Sequence, residues 1–427
     1  MFKVSTIPSK KTIYQNTINA VFYFKTIQNR LYLIFLTLLL QINLTLIFGQ
    51  TNEEITLDQA IQIAKANNPR LKIAENNLLQ SKTSRAEIVE ITPTSFSYSW
   101  GQLNGENKKD KELSFEQNIG SIITPFYKNA LVNRQIRSGE LYKQLVEKEI
   151  IAEVKRAWTN YQYASSLNRI YRNQDKQASE LQQLGELRHQ RGEMTLLEKN
   201  MLTTLVADLH KHWYEAREEK KAALYRLRWA CNTNRFIIPV DSILVQFSSQ
   251  EQITQATPST THIHYFESQV DEVKAMVNIE RSRFFPEITM GYNLQNMLPL
   301  KNLSSWTIGF SFPIYFLPQK SKIKQAKIAL NSARIQADAN IRELTNKITE
   351  IEASIRRYNE ILRFYTSTAL KEAQQLKESA DQQLKDNKIN MSDYIQSIHT
   401  AIEINRGYIE TVNLYNIAVL EYELYKD

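Results

Sequence analysis

Ser304-Ser305-Trp306-Thr307-Ile308-Gly309-Phe310-Ser311-Phe312 alternates along its whole length. Trp306, Ile308, Phe310 and Phe312 fall on one side, and Ser305, Thr307, Gly309 and Ser311 on the other. Side chains on a strand point to opposite faces with a period of two, so the segment, extended to 304–314, reads as a strand with an apolar and a polar face. Three more segments read alike: 94–103 with Phe96, Tyr98 and Trp100, 112–123 with Leu113 and Phe115, and 287–295 with Met290, Tyr292 and Leu294. Their lengths match membrane-spanning β-strands that turn these apolar residues to lipid and the others to a lumen. An antiparallel sheet resting one face on a soluble core would show the same alternation.

Around the strands, the chain repeats itself. Pro286 follows Pro93 by 193 positions, and each opens a pair of alternating strands. Each pair is preceded by a helical stretch. The first has Thr56 and Gln59 spaced as a capping box, is interrupted at Asn67-Asn68-Pro69, and continues to about residue 90. The second covers 262–285. After each pair comes a very long helical stretch, 128–189 beyond Pro125 and 319–386, each roughly 90–100 Å if unbroken. The second stretch holds no proline or glycine. Its apolar seam, Ile341, Leu344, Ile348, Ile351, Ile355, Tyr358, Leu362 and Tyr365, steps by threes and fours, the period of a left-handed coiled coil. A break and a shorter helix close each copy, the last one carrying Ile395, Ile398, Ile402, Ile409, Val412 and Val419.

The net charge of +8 is concentrated at the start. Residues 1–50 hold five cations and no acid, which leaves 48 basic against 45 acidic residues in the remainder. No basic block with interleaved aromatics stands out there, which argues against a nucleic-acid partner. The basic flank runs into an apolar stretch at 31–48 and a polar exit, the form of a secretory signal with a long leading region; an uncleaved anchor is the alternative. A mean hydropathy of −0.42 excludes a bundle of membrane-spanning helices. Ten glycines disfavour nucleotide-cradling loops. The single cysteine, Cys231, excludes an internal disulfide, so an exported chain of this kind is held by packing or assembly.

Four strands cannot satisfy their edges in lipid, and single-chain barrels begin at eight strands. Closure therefore calls for several copies of the chain. The rival reading is a periplasmic coiled-coil scaffold or adaptor with a soluble sheet and no channel.

The order of these features resembles the TolC-like outer-membrane efflux protein family. Ile55-Thr56-Leu57-Asp58-Gln59-Ala60 with Asn67-Asn68-Pro69-Arg70-Leu71 is similar to that family's first-helix pattern, and Pro313-Ile314-Tyr315 to its exit from the fourth strand. The segments Gly192-Glu193-Met194-Thr195-Leu196-Leu197-Glu198 and Asn387-Lys388-Ile389-Asn390-Met391-Ser392-Asp393 resemble its helix-tip motif and lie 195 positions apart. The likeness spans residues 54–427. It implies a mainly α protein with a membrane β-barrel, made of two tandem repeats of helix–strand–strand–long helix–helix (54–231 and 262–427) around a linker at 232–261, after a signal peptide at 1–50. It implies a homotrimer with one 12-stranded barrel continued by a periplasmic α-helical barrel. It further implies a passive exit duct docked, through a periplasmic adaptor, on an inner-membrane pump of RND rather than ABC type.

The resemblance also nominates residues. The adaptor-docking tips become Gly192, Glu193, Met194 and Thr195 in copy one, and Asn387, Lys388, Ile389 and Asn390 in copy two. The family's tip glycine is Asn387 in the second copy, where asparagine tolerates left-handed backbone better than most residues. The pore constriction falls on Asp393, with Gln396 a turn further and Glu198 its counterpart in copy one. Symmetry-related carboxylates in a narrow aperture would repel one another and attract cations. The alternative is that Asp393 and Glu198 only stabilise the first turns of their helices. His210 with His212, two apart on a helix, make a poor chelate; His262 with His264 would chelate only if extended, and neither pair has a supporting cluster. No catalytic motif is present, and no cofactor or metal is implied.

Overall fold

The computed structural model describes residues 53–89, 91–103, 109–248, 258–297, 300–312, 316–386 and 388–426. The proposed signal at 1–50, Pro299, Pro313-Ile314-Tyr315 and Asn387 lie outside them. Among the described residues no helix is long and apolar enough to cross a membrane. The described residues divide into two units, 53–55 with Asn234–Ile238, and those from Thr56 to Thr233 and from Pro239 on. In the first, β1 (Glu53–Ile55) lies along the segment that begins at Asn234, and the Glu53 N–H donates to the Phe236 carbonyl at 2.8 Å.

The second unit begins with α1 (Leu57–Asn67) and α2 (Pro69–Thr83). The capping box expected at Thr56 is formed: its N–H donates to Gln59 Oε1 at 2.8 Å, and its hydroxyl accepts the Gln59 N–H at 3.3 Å. Asn68 caps α2 through the Arg70 N–H at 2.9 Å, with Pro69 in the first turn. Helix α2 stops well before residue 90. The hydroxyls of Ser81, Thr83 and Ser84 donate to carbonyls four residues back, and the chain tightens into a 3₁₀ turn at Ser84–Glu87.

Then follow β2 (Ser95–Gly101), β3 (Asp110–Gly120), α3 (Thr124–Gln190) and α4 (Leu196–Ala230). Strand β4 (Ile237–Pro239) pairs with β1. The second half runs α5 (Thr260–Ser282), β5 (Glu287–Met297), β6 (Leu300–Ser311), α6 (Leu317–Phe364), α7 (Leu370–Lys385) and α8 (Met391–Tyr425). Helix α3 has 67 residues, roughly 100 Å at the standard rise. It starts four residues earlier than expected, because Pro125 sits inside the first turn, where its missing N–H costs nothing. Pro318 does the same for α6.

The second long helix is not continuous. Residues Tyr365–Ala369 form a π-helical turn between α6 and α7. The buried seam explains it: Leu362 is followed by Tyr365, Ala369 and Ala373, two consecutive steps of four that a 3.5-residue period does not allow. One extra residue in the turn restores the phase. The Tyr365 hydroxyl rests where a Cβ on residue 407 would stand, so Gly407 makes room for it.

The rest of the seam packs as read. Leu344, Ile348, Ile351, Ile355 and Leu362 are buried, and the last three share a cluster with Val412, Tyr415 and Ala418 of α8. Each such aliphatic side chain contributes on the order of 1.5–3 kcal/mol by leaving water. The described part of the linker is fastened to this core. Leu244 packs into it, and Asn416, at 0% exposure, accepts the Phe247 N–H at 2.9 Å and donates to the Val245 carbonyl at 2.8 Å. Its amide thus pairs an irregular backbone segment that could not otherwise be buried.

Candidate functional site

The four-stranded sheet runs β2-β3-β5-β6, antiparallel throughout. Its register aligns the alternation of all four strands. Phe96 lies opposite Phe115, Phe115 opposite Tyr292, and Tyr292 opposite Trp306. Tyr98, Leu113 and Leu294 form the next row, and Met290 faces Ile308. Directly paired residues share a face, so the residues read as lipid-facing occupy one side, with Phe312 just beyond the end of β6. The aromatic face is bare: Trp306 is 80% exposed and Phe310 65%. The opposite face is polar and internally bonded. Ser97, Ser114, Asn293 and Ser305 form one row, the first two hydroxyls lying 2.6 Å apart. Gln295 Nε2 donates to Glu112 Oε1 at 2.9 Å. Among the described residues the outer edges of β2 and β6 pair with no strand.

At the far ends of the long helices are two turns with one backbone design. In the first, Gly192 takes a left-handed φ of 74°, and the Glu193 N–H reaches back to the Arg188 carbonyl at 2.9 Å. In the second, the Lys388 N–H reaches the Gln383 carbonyl at 2.8 Å. These are Schellman closures, and both partners are displaced by the same 195 positions. Thr195 caps α4, its hydroxyl accepting the Glu198 N–H at 3.2 Å; Asn390 caps α8, accepting the Asp393 N–H at 2.8 Å. Met194 and Met391 point into a core that joins both turns, together with Leu202, Leu384 and Tyr394; Ile389 packs against it. Of the residues nominated for docking, Glu193, Thr195, Lys388 and Asn390 are exposed, whereas Met194 holds the turn from inside.

The two tip carboxylates are placed differently. Glu198 completes a capping box: its Oε2 accepts the Thr195 N–H at 2.9 Å and the Thr195 hydroxyl at 2.7 Å. These bonds to Thr195, with the Met391 N–H adding to them, hold its carboxyl below the usual range. It lines a cleft of about 420 Å³ between the tips, with Arg188, Glu193 and Lys388. Asp393 lies outside that cleft and is exposed, as is Gln396 one turn on. Among the described residues no group pairs with the Asp393 carboxylate.

Two contacts were not anticipated from sequence. Tyr394, buried at the second tip, donates its hydroxyl to Asp381 Oδ1 at 2.9 Å; burial first, then this carboxylate, raises its pKa. The positions 195 residues earlier are Lys199 and Glu186, an ion pair at 2.9 Å. Elsewhere, burial pushes the Cys231 thiol up to about 11, leaving it protonated at neutral pH. His210 pairs with Asp175 at 2.8 Å, and His212 lies between Asp208 and Glu215.

No protein-family model and no curated sequence matches the chain. Solved structures do. The channel CusC aligns over 88% of this chain and 94% of its own, with a TM-score of 0.71 and 13% identity. The outer-membrane channel OprN aligns over 86% and 89%, at 0.72 and 13%. The CmeC outer membrane channel of Campylobacter jejuni aligns over 86% and 84%, at 0.70 and 12%. The chain therefore has the fold of TolC-family outer-membrane channels, and the resemblance seen in its sequence holds at that level.

Proposed function

We propose that this chain is one subunit of an outer-membrane exit duct in a tripartite efflux or secretion system. The observation that carries this reading is the sheet: one face aromatic and bare, the other polar and hydrogen-bonded, with both edges unpaired. A sheet in that state is complete only in lipid and only when its edges meet those of other copies. Three copies would supply twelve strands, and the long helices would continue the tunnel across the periplasm. An inner-membrane pump, RND in preference to ABC type, would supply the energy through an adaptor docked at the helix tips. This chain would supply the path.

Within that duct, Asp393 is the gate residue. Its exposed carboxylate has no partner among the described residues and is free to face symmetry mates, whereas the carboxylate of Glu198 is held by Thr195 at its own helix start and by the Met391 N–H. Three such groups in a narrow ring favour cations and oppose close approach. Gln396 extends the same exposed face.

Labelling tests the lipid reading. A cysteine at Phe310 should react with lipid-phase reagents and one at Thr307 with water-soluble ones; equal reaction at both sites refutes a half-lipid sheet and favours a soluble scaffold. For the gate, Asp393→Ala should raise single-channel conductance in planar bilayers several-fold, whereas Glu198→Ala should not. Unchanged conductance in the Asp393 variant removes it from the constriction.

A further inference from the structure

The first third of α6 carries a charge pattern that nothing among the described residues answers. Between Leu317 and Ala337 stand Lys320, Lys322, Lys324, Lys327 and Arg334, and no acid; the first is Asp338. Lys320, Lys324, Lys327 and Arg334 are spaced by four, three and seven, which puts them on one stripe of the helix, and all are exposed. Among the described residues none of the five forms an ion pair. The neighbouring acid on the packed helix α5, Glu280, is occupied by Gln319 at 3.1 Å and Arg283 at 3.6 Å. The start of α3 differs, since Arg134 there is paired with Asp271 of α5. Cations in the opening turns of a helix also oppose its dipole, so the arrangement has a cost that an outside anion would offset.

Position identifies the anion. The stripe begins just past the aromatic end of β6, where Phe310, Phe312, Phe316 and Leu317 are all exposed. If that aromatic face spans the hydrocarbon, the headgroup layer occupies the next 5–8 Å or so. Lys320 to Lys327 spans about 10 Å of helix, and lysine side chains reach several ångströms toward a headgroup. We infer that the four lysines Lys320, Lys322, Lys324 and Lys327, three on the stripe and Lys322 on the other side of the helix, bind the anionic phospholipid headgroups of the leaflet on the helical side of the sheet. This rests on the membrane reading above and adds a lipid class to it. The belt would fix the depth of the sheet in the bilayer by charge, as its aromatic face does by hydrophobicity.

The test uses the full chain, purified in detergent as its assembled form and moved into nanodiscs of phosphatidylcholine with one part in about three of phosphatidylglycerol, a membrane-like proportion. The lipid retained after re-extraction is quantified by mass spectrometry. The native chain should retain phosphatidylglycerol above the supplied proportion. The combined variant Lys320→Gln, Lys322→Gln, Lys324→Gln and Lys327→Gln should lose at least about fivefold of that enrichment. The same four positions changed to arginine should keep it. Retention in the supplied proportion by the native chain, or undiminished enrichment in the glutamine variant, overturns the inference. So does loss of the assembled ring with lipid preference intact, which would give the stripe to a neighbouring copy. A native chain that enters no bilayer at all refutes the membrane reading instead, and the two failures are thereby distinct.

Discussion

The turn at 191–198 and the turn at 388–393 share a backbone and differ in what they show to water. In the first, Leu196 is 61% exposed, with Leu197 and Met201 exposed beside it. At the equivalent positions of the second, Met391 is 3% exposed, and Ser392 and Gln396 are polar. The first tip is thus an apolar surface of the kind that partners cover. The second is a polar surface that carries a free carboxylate. Beneath them the packing is also unequal. Gly185 lets Leu202 lie against the backbone of α3, where the second copy has Ala380 and Ser397. The cross-helix tie is an exposed ion pair in the first copy and a buried tyrosine–carboxylate bond in the second. A duplicated motif has kept its main-chain bonds while its side chains have separated into one tip with exposed apolar residues and one that is polar and carries an exposed carboxylate.

The unequal ties offer the largest test of this contrast. Tyr394→Ala should destabilise the purified chain by about 3 kcal/mol, since it empties a core position and strands Asp381. Lys199→Ala should cost under about 1 kcal/mol, as exposed pairs do. Equal losses in denaturant titrations would erase the distinction between the tips.

Next is the closure of the first turn. Gly192→Ala forces a side chain into left-handed backbone, at about 1–2 kcal/mol. Limited proteolysis should then cut faster within 191–195 while leaving 388–393 as it was. Faster cutting at both would mean that the tips open together through their shared core.

The smallest effect concerns acid. The Glu198 pKa is lowered by folding, so its contribution is present above the unfolded value near 4.3 and is lost as pH falls through that value toward the folded one. The cap of the second tip, Asn390, is an amide and does not titrate. Amide hydrogen exchange, corrected for intrinsic rates, should therefore show the first tip loosening between about pH 5 and 3 more than the second. Thr195→Ala, worth about 1 kcal/mol, should remove the difference. If both tips loosen alike in the native chain, the capping box is not what separates them.

Much of this architecture is written in short-range pattern. Alternation at period two grouped the nominated apolar strand residues on one side of the sheet, because a one-residue slip in an antiparallel pairing would turn a strand over; Leu303, in the polar row with Gln295, was not among them. The tip turns were legible from a fixed offset and a glycine. The parts that escaped depend on contacts across the chain. The break at Tyr365 is visible only as a seam that falls out of step, and Gly407, which makes room for the Tyr365 hydroxyl, lies on another helix. Pro125 and Pro318 look like stops but sit where a helix tolerates proline. Met194 and Met391 lie in turns that read as surface, and only the packing of two tips on each other buries them. The difference between Glu198 and Asp393 is local instead: Thr195, three residues before Glu198, binds its carboxylate, and no described residue binds that of Asp393.

The two unpaired edges of the sheet carry one more consequence. In the ring proposed above, the free side of β6 in one copy would meet the free side of β2 in the next, so the contact would be head-to-tail and would close only when the ring does. A chain with a damaged β6 edge and a sound β2 edge is still accepted by a healthy neighbour, yet the ring it joins cannot shut. Such a variant would be dominant over the normal protein. In a ring of three, equal co-expression would leave about an eighth of the assemblies free of it. If the ring forms as proposed, one defective chain would therefore disable the whole assembly.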